Sequence, residues 1–228
     1  MNIKLAVFDL AGTTVHDEDF VALALKEALA TENISIEISD ANRFMGIPKP
    51  LAIKHLIFEK TGKDYPVYDN FIDAIFNRFL DIMLDFYKNS ESVREIEGVS
   101  ETFAYLKEKR IRIAVDTGFS KVITDVIIEK MQWIEKGLLD FSVSSDEVDR
   151  GRPNPDMIYH LMKKSFITKP SEVAKIGDTP ADLNEGYNAG CAYNIGVLSG
   201  SCTSAELSEH PHTHILNSVV DIKNLQIL

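Results

Sequence analysis

The strongest constraint on this chain is a set of short apolar runs, several of which stop abruptly at polar or turn-forming residues. They lie at 4–8, 111–115, 172–176 and 192–197, with a weaker one at 213–216. Such runs, rich in β-branched residues and lacking regular alternation, suit strands buried on both faces of a parallel sheet. Helical patterns separate them at 100–109, 120–131, 155–166, 180–189 and 218–225. Strand and helix alternating at this spacing predict right-handed βαβ units and an α/β fold with a doubly wound parallel sheet.

The segment 15–95 breaks the rhythm. It holds no convincing strand, while Val21, Leu25, Ala28 and Leu29, and later Phe71, Ile75, Phe76, Phe79, Leu80, Met83 and Leu84, repeat with helical spacing. Asp40 or Ser39 can cap a short helix, and Pro48 and Pro50 bracket the start of another. The expected organisation is a Rossmann-like core of 1–14 and 96–228, interrupted by an all-helical cap at 15–95.

Charge and composition narrow the partners. The 228 residues carry 24 Lys and Arg against 35 Asp and Glu, a formal charge of −11. That balance argues against a surface made for nucleic acid or an anionic membrane. No apolar run is long enough to span a bilayer, and Asp9 interrupts the first one before it could serve as a signal-peptide core. Two cysteines, Cys191 and Cys202, build no disulfide framework, so a reducing cytoplasm is the expected location. An enzyme or a binding module fits these limits.

The chemistry gathers where strands end. Asp9 follows the first strand and leads into Gly12 and Thr13, which can offer N–H groups and a hydroxyl to a phosphate. Alone, Asp9 reads equally well as a turn residue. Thr117 and Gly118 follow the second strand, Arg152 sits in a Pro-rich loop, and Asp178 and Asp182 follow the strand at 172–176. Asp9 and Asp178 can hold a hard cation such as Mg²⁺. Thr117 and Arg152 can bind phosphoryl oxygens, and Asp9 can attack phosphorus. Separately, Thr117 is a loop hydroxyl, Arg152 a surface ion pair and Asp182 a helix-terminal charge. Four such pieces in order at strand ends are hard to explain by those separate roles.

Asp9-Leu10-Ala11-Gly12-Thr13, Thr117-Gly118, Arg152 and the stretch from Gly177 to Asp182 resemble the four motifs of the haloacid dehalogenase-like hydrolase superfamily. The resemblance covers essentially the whole chain, because many members carry a cap where the helical insertion lies. It implies that Asp9 is the nucleophile, that Asp9, the backbone oxygen of Ala11 and Asp178 hold Mg²⁺, and that Asp182 assists from behind them.

Ala11 narrows the branch. Phosphatases and phosphomutases of the superfamily usually have an acid–base Asp there, and a methyl group transfers no proton. The string from Asp9 to Val15 resembles the phosphonoacetaldehyde hydrolases, which carry Ala at that place. Met45-Gly46-Ile47-Pro48-Lys49 is similar to their cap segment, whose Lys forms a Schiff base. Two positions depart from that pattern: Ala52 stands where it has a His, and Asp19 where it has a Cys. His16 and His55 are candidate replacements, each also readable as a solvated or capping residue. Lys49 is either a catalytic amine or a substrate-binding cation.

The expected function is Mg²⁺-dependent hydrolysis of a small phosphorylated or phosphonylated metabolite. The alternative is C–P cleavage of phosphonoacetaldehyde through a Lys49 imine, and the rival of another class is a non-catalytic binding protein. A phosphomutase is disfavoured by Ala11, and a dehalogenase by the carboxylate pair. Neither nucleic acid nor membrane is an expected partner, and a homodimer is left open.

Overall fold

The computed structural model describes residues 3–17 and 19–225. Six parallel strands form one sheet: β1 (Leu5–Phe8), β2 (Arg112–Thr117), β3 (Phe141–Ser144), β4 (Val173–Gly177), β5 (Tyr193–Val197) and β6 (His214–Leu216). Their order across the sheet is β3-β2-β1-β4-β5-β6. β1 is therefore central, with Leu5 opposite both Arg112 and Val173. The order reverses beside β1, and open α/β sheets bind ligands at the carboxyl ends of strands at such a point.

Burial on both faces explains the unbroken apolar runs. Ala6 and Phe8 pack with Phe103 and Leu106 of α5 (Val99–Glu108) and with Ile123 and Ile127 of α6 (Lys121–Met131). Leu5 and Val7 face the other way, onto Met157, Ile158 and Leu161 of α7 (Asp156–Lys164). On the same sheet, α8 (Pro180–Ala189) follows β4, and the short α9 (Ser204–Ser208) precedes β6. No helix among the described residues is long and apolar enough to cross a membrane.

Two local expectations change. β3 is a strand although its sequence, Phe-Ser-Val-Ser, shows no apolar run; it is an edge strand, and its first two residues are only half-buried. The helix expected at 218–225 is a 3-10 turn over Val219–Asn224 that packs Val219 and Ile222 inward.

Between β1 and α5 the chain makes α1 (Phe20–Ala30), α2 (Ile38–Asn42), α3 (Lys49–Thr61) and α4 (Asn70–Asn89), and none of the described residues there joins the sheet. Asp69 caps α4 by accepting the Phe71 N–H at 2.8 Å. Ile72, Ile75, Phe79, Met83 and Tyr87 then form its buried stripe. In α2 the cap is Glu37, whose N–H donates to Asp40 at 2.9 Å, so Asp40 closes a capping box instead of starting the helix. The connections into and out of this helical segment cross as a short antiparallel pair. His16 N–H donates to Arg94 O at 3.1 Å and Ile96 N–H to Thr14 O at 2.9 Å. Glu95 in this crossing accepts from Trp133 Nε1 at 2.8 Å and Ser100 Oγ at 2.7 Å, which ties the exit to the core.

Candidate active site

The carboxyl ends of β1, β2 and β4 surround a cavity of about 220 Å³ that the start of α3 covers. Asp9, Gly12, Thr117, Gly118 and Asp178 line it from the sheet side, and Met45, Gly46 and Lys49 from the helical side. Thr13 does not line it: its buried hydroxyl donates to Asp178 Oδ1 at 3.0 Å.

Asp178 is fixed from two directions. Besides Thr13, its Oδ2 accepts from Ser201 N at 2.9 Å and Ser201 Oγ at 3.2 Å. Gly200 passes so close that a Cβ there would overlap the carboxylate. Sequence reasoning passed over this Ser199-Gly200-Ser201 loop, although a run of small residues after a strand end was its visible signal.

Asp182 follows from local helix chemistry. Thr179 is the N-cap of α8 and Pro180 its first residue; Thr179 N–H and Oγ1–H both donate to Asp182 Oδ2, at 3.2 and 2.5 Å. The other oxygen, Oδ1, meets Arg152 at 3.0 Å and Lys175 at 2.9 Å.

Arg152 is placed differently from the phosphate-binding expectation. It is buried, does not line the cavity, and is engaged by carboxylates. Its guanidinium binds Asp9 Oδ1 at 2.7 Å, Glu185 at 3.0 Å, and both the carboxylate and the carbonyl of Asp116. Its whole fork is used in orienting acids, Asp9 first among them. Lys175, on β4 and fully buried, joins the same cluster through Asp116, Asp182 and Glu185. Burial and Arg152 disfavour charge on Lys175, yet these three carboxylates hold it above the ordinary lysine range. Burial alone would raise Asp116, but Arg152 and Lys175 bring it below the usual carboxylate range. Glu185 is pushed well above that range by burial and by Asp116. Lys175, Asp116 and Glu185 were not singled out from the sequence; a Lys inside an otherwise apolar central strand was the available signal.

The donor set suits a divalent cation. Carboxylate oxygens of Asp9, Asp178 and Asp182 lie within 4.8 Å of one another. Burial, then the charges of Asp9 and Asp182, push Asp178 up to about 8. Burial outweighs Arg152 at Asp9 and raises it to about 6. Such crowded buried acids need a proton or a cation, and an all-oxygen set selects a hard one.

Lys49 is the first residue of α3 and is buried, 3% exposed. Its Nζ lies 3.4 Å from Ile47 O and 5.6 Å from the centre of the Phe119 ring. Among the described residues no carboxylate oxygen comes within 4.0 Å of it. Burial lowers its pKa to about 8, against the pull of Asp9 and Asp17. The two histidines lie elsewhere. His55 stacks on Phe44 with ring centres 5.3 Å apart, and His16 lines a separate pocket with Phe20, Phe86 and Ser92.

Backbone contact seats this roof. A Cβ on Gly118 would come within 2.8 Å of Ile47 O, and one on Gly151 within 2.5 Å of Pro48 Cγ. Gly118→Ala is therefore expected to lift the segment that carries Lys49. Turnover should fall by about 10²-fold, the scale of an ångström-sized misplacement, with an unchanged circular dichroism spectrum.

A sequence profile of the haloacid dehalogenase-like hydrolases matches residues 6–195. The chain belongs to that family. It is an enzyme, a hydrolase of the phosphonatase-like branch. Phosphonoacetaldehyde hydrolase of Bacteroides fragilis is 26% identical over 239 residues, covering 97% of this chain and 87% of that protein. An enzyme of the same name from Bacillus cereus is 30% identical over 214 residues, covering 88% of this chain and 78% of that protein. In structure, a hydrolase from Pseudomonas syringae superposes with a TM-score of 0.85 at 23% identity, covering 97% of this chain and 96% of the other. That last likeness shows the shared fold, the six-stranded parallel sheet with its helical insertion.

Proposed function

We propose that the protein is a Mg²⁺-dependent hydrolase in which Asp9 attacks the phosphorus of a small phosphorylated or phosphonylated metabolite and displaces its organic group, water then cleaving the aspartyl-phosphate to release phosphate. The observation that carries this reading is the meeting of Asp9 and Asp178 in one cavity roofed by the Lys49 amine. Arg152 holds Asp9 Oδ1 and so orients the carboxylate, leaving the second oxygen for attack. Lys49, the Thr117 hydroxyl and the backbone of Gly12 and Gly118 meet the phosphoryl oxygens. Asp9, the Ala11 carbonyl and Asp178 would hold the Mg²⁺, with Asp182 behind them. When bound, the cation neutralises the acids and the charge developing on the phosphoryl group. The roof keeps bulk water out until it opens. Phosphate release should be Mg²⁺-dependent and abolished by EDTA in a screen of phosphate monoesters, acyl phosphates and phosphonoacetaldehyde. No release across that panel sinks the proposal.

A second reading, hydrolysis of phosphonoacetaldehyde, is favoured by the state of Lys49. A C–P bond leaves a carbanion, and an imine between the aldehyde and Lys49 would take up its electrons. An amine with a pKa of about 8 keeps roughly a tenth of its population unprotonated at pH 7, far more than an ordinary lysine does. Borohydride should therefore trap a phosphonoacetaldehyde adduct on Lys49, and Lys49→Arg should trap none. Because the neutral amine attacks, trapping should rise with pH through about 8. Phosphonoacetaldehyde left untouched at high enzyme concentration removes this reading.

A further inference from the structure

We infer that Asp17 is the proton partner of Lys49: its carboxylate takes the ammonium proton and returns it when the amine–carbonyl adduct loses water. This rests on the imine reading of Lys49. Asp17 lines the same cavity as Lys49, just after the chain leaves the core. Its Oδ1 accepts the Val21 N–H at 3.1 Å, and the Phe20 amide also reaches it, so the start of α1 holds the carboxylate in place.

The other proton carriers are placed or occupied otherwise. Ala11 and Ala52 carry only methyl groups, His16 and His55 lie outside the cavity, and Asp19, which also lines it, is exposed and its Oδ1 accepts from Asn42 Nδ2 at 3.3 Å. Asp9 and Asp178 belong to the cation site. Among the described residues, the charged or titratable groups facing Asp17 are Lys49 of α3, Asp19 of its own segment and Tyr87 of α4. Those facing Lys49 are Asp9, Asp17, Arg152 and Asp178. Burial raises Asp17 and lowers Lys49, which brings the two groups closer in proton affinity.

The step balances. The Lys49 ammonium passes a proton to the Asp17 carboxylate through one intervening water, since no carboxylate oxygen of the described residues lies within 4.0 Å of its Nζ. The amine lone pair then adds to the carbonyl carbon, and a proton shift from nitrogen to oxygen gives a neutral carbinolamine. Asp17 returns its proton to the departing hydroxyl. Water leaves, the nitrogen lone pair forms the C=N bond of the iminium, and Asp17 is again a carboxylate.

Asp17→Asn is the variant of choice, because Asn keeps an oxygen for the Val21 amide and caps helices as well as Asp does. Two readouts are needed. The first is acetic anhydride labelling of Lys49 against pH, followed by mass spectrometry. The midpoint should lie near 8 in the wild type and move down in Asp17→Asn, since the anion that favours the ammonium is gone. The second is borohydride trapping with phosphonoacetaldehyde at pH 7. It should slow by about 10²-fold in Asp17→Asn although more amine is free, and Asp17→Glu should recover part of the rate. A purely structural role predicts no such split. If wild type and Asp17→Asn share one labelling midpoint and one trapping rate, the inference is overturned while the Lys49 reading stands. If labelling and trapping fall together, Asp17 only supports the fold. If the wild type traps no aldehyde, the imine reading fails and takes this inference with it.

Discussion

Asp9→Asn is expected to lower phosphate release by roughly 10³-fold or more, because the amide keeps the shape of the group and loses the attacking anion. The fold should survive. Asp9 is buried, and its carboxyl is raised to about 6, so holding it charged is costly in the absence of a cation. Replacing it with a neutral group removes that cost along with the ion pair to Arg152 Nη1. Phosphate release and thermal unfolding of the two proteins should therefore separate: activity gone, Tm little changed. Equal release from wild type and variant would remove Asp9 as the nucleophile. A large drop in Tm would make it a structural acid.

Lys175→Met is expected to act on stability. Lys175 is fully buried on β4, where its ammonium meets Asp116, Asp182 and Glu185, and only Arg152 would remain to balance those acids. Removing one partner from a buried ionic cluster typically costs about 3–5 kcal/mol. For a chain of this size that is a fall in Tm of roughly 6–20 °C. Adding Asp116→Asn should recover part of the loss by removing one of the stranded carboxylates, a coupling that a double-mutant cycle reads directly. A Tm within a degree or two of wild type would mean that the acids were already protonated and the lysine was dispensable.

The central strands were legible in the sequence because both faces of β1, β2 and β4 are buried, which leaves little room for polar residues. β3 was not, since an edge strand tolerates Ser142 beside Val143. The placement of Asp9 and Asp178 could be read from strand ends, where a parallel sheet brings loops together. The partners of Arg152 could not. A guanidinium in a loop reads as a ligand for phosphate, and only the packed structure shows that Asp9, Asp116, Asp182 and Glu185 occupy it. Asp17 was hidden for a related reason. Its nearness to Lys49 arises when the segment around Gly46 and Ile47 docks against Gly118, a contact between residues far apart in the chain.

The central place of β1 also bears on how the chain assembles. Leu5–Phe8 comes before both of its partners, Arg112–Val115 and Val173–Ile176, which lie far downstream. Contacts of such long sequence separation form slowly, while α1 and α4 find each other over a much shorter loop. During synthesis the helical segment can therefore gather its own contacts while the apolar first strand still waits, exposed, for β2 and β4. β1 gains its second neighbour only when the chain has reached Val173–Ile176. Refolding should accordingly show early helix formation and a later, slower step as the nucleophile-bearing strand slots into the middle of the sheet.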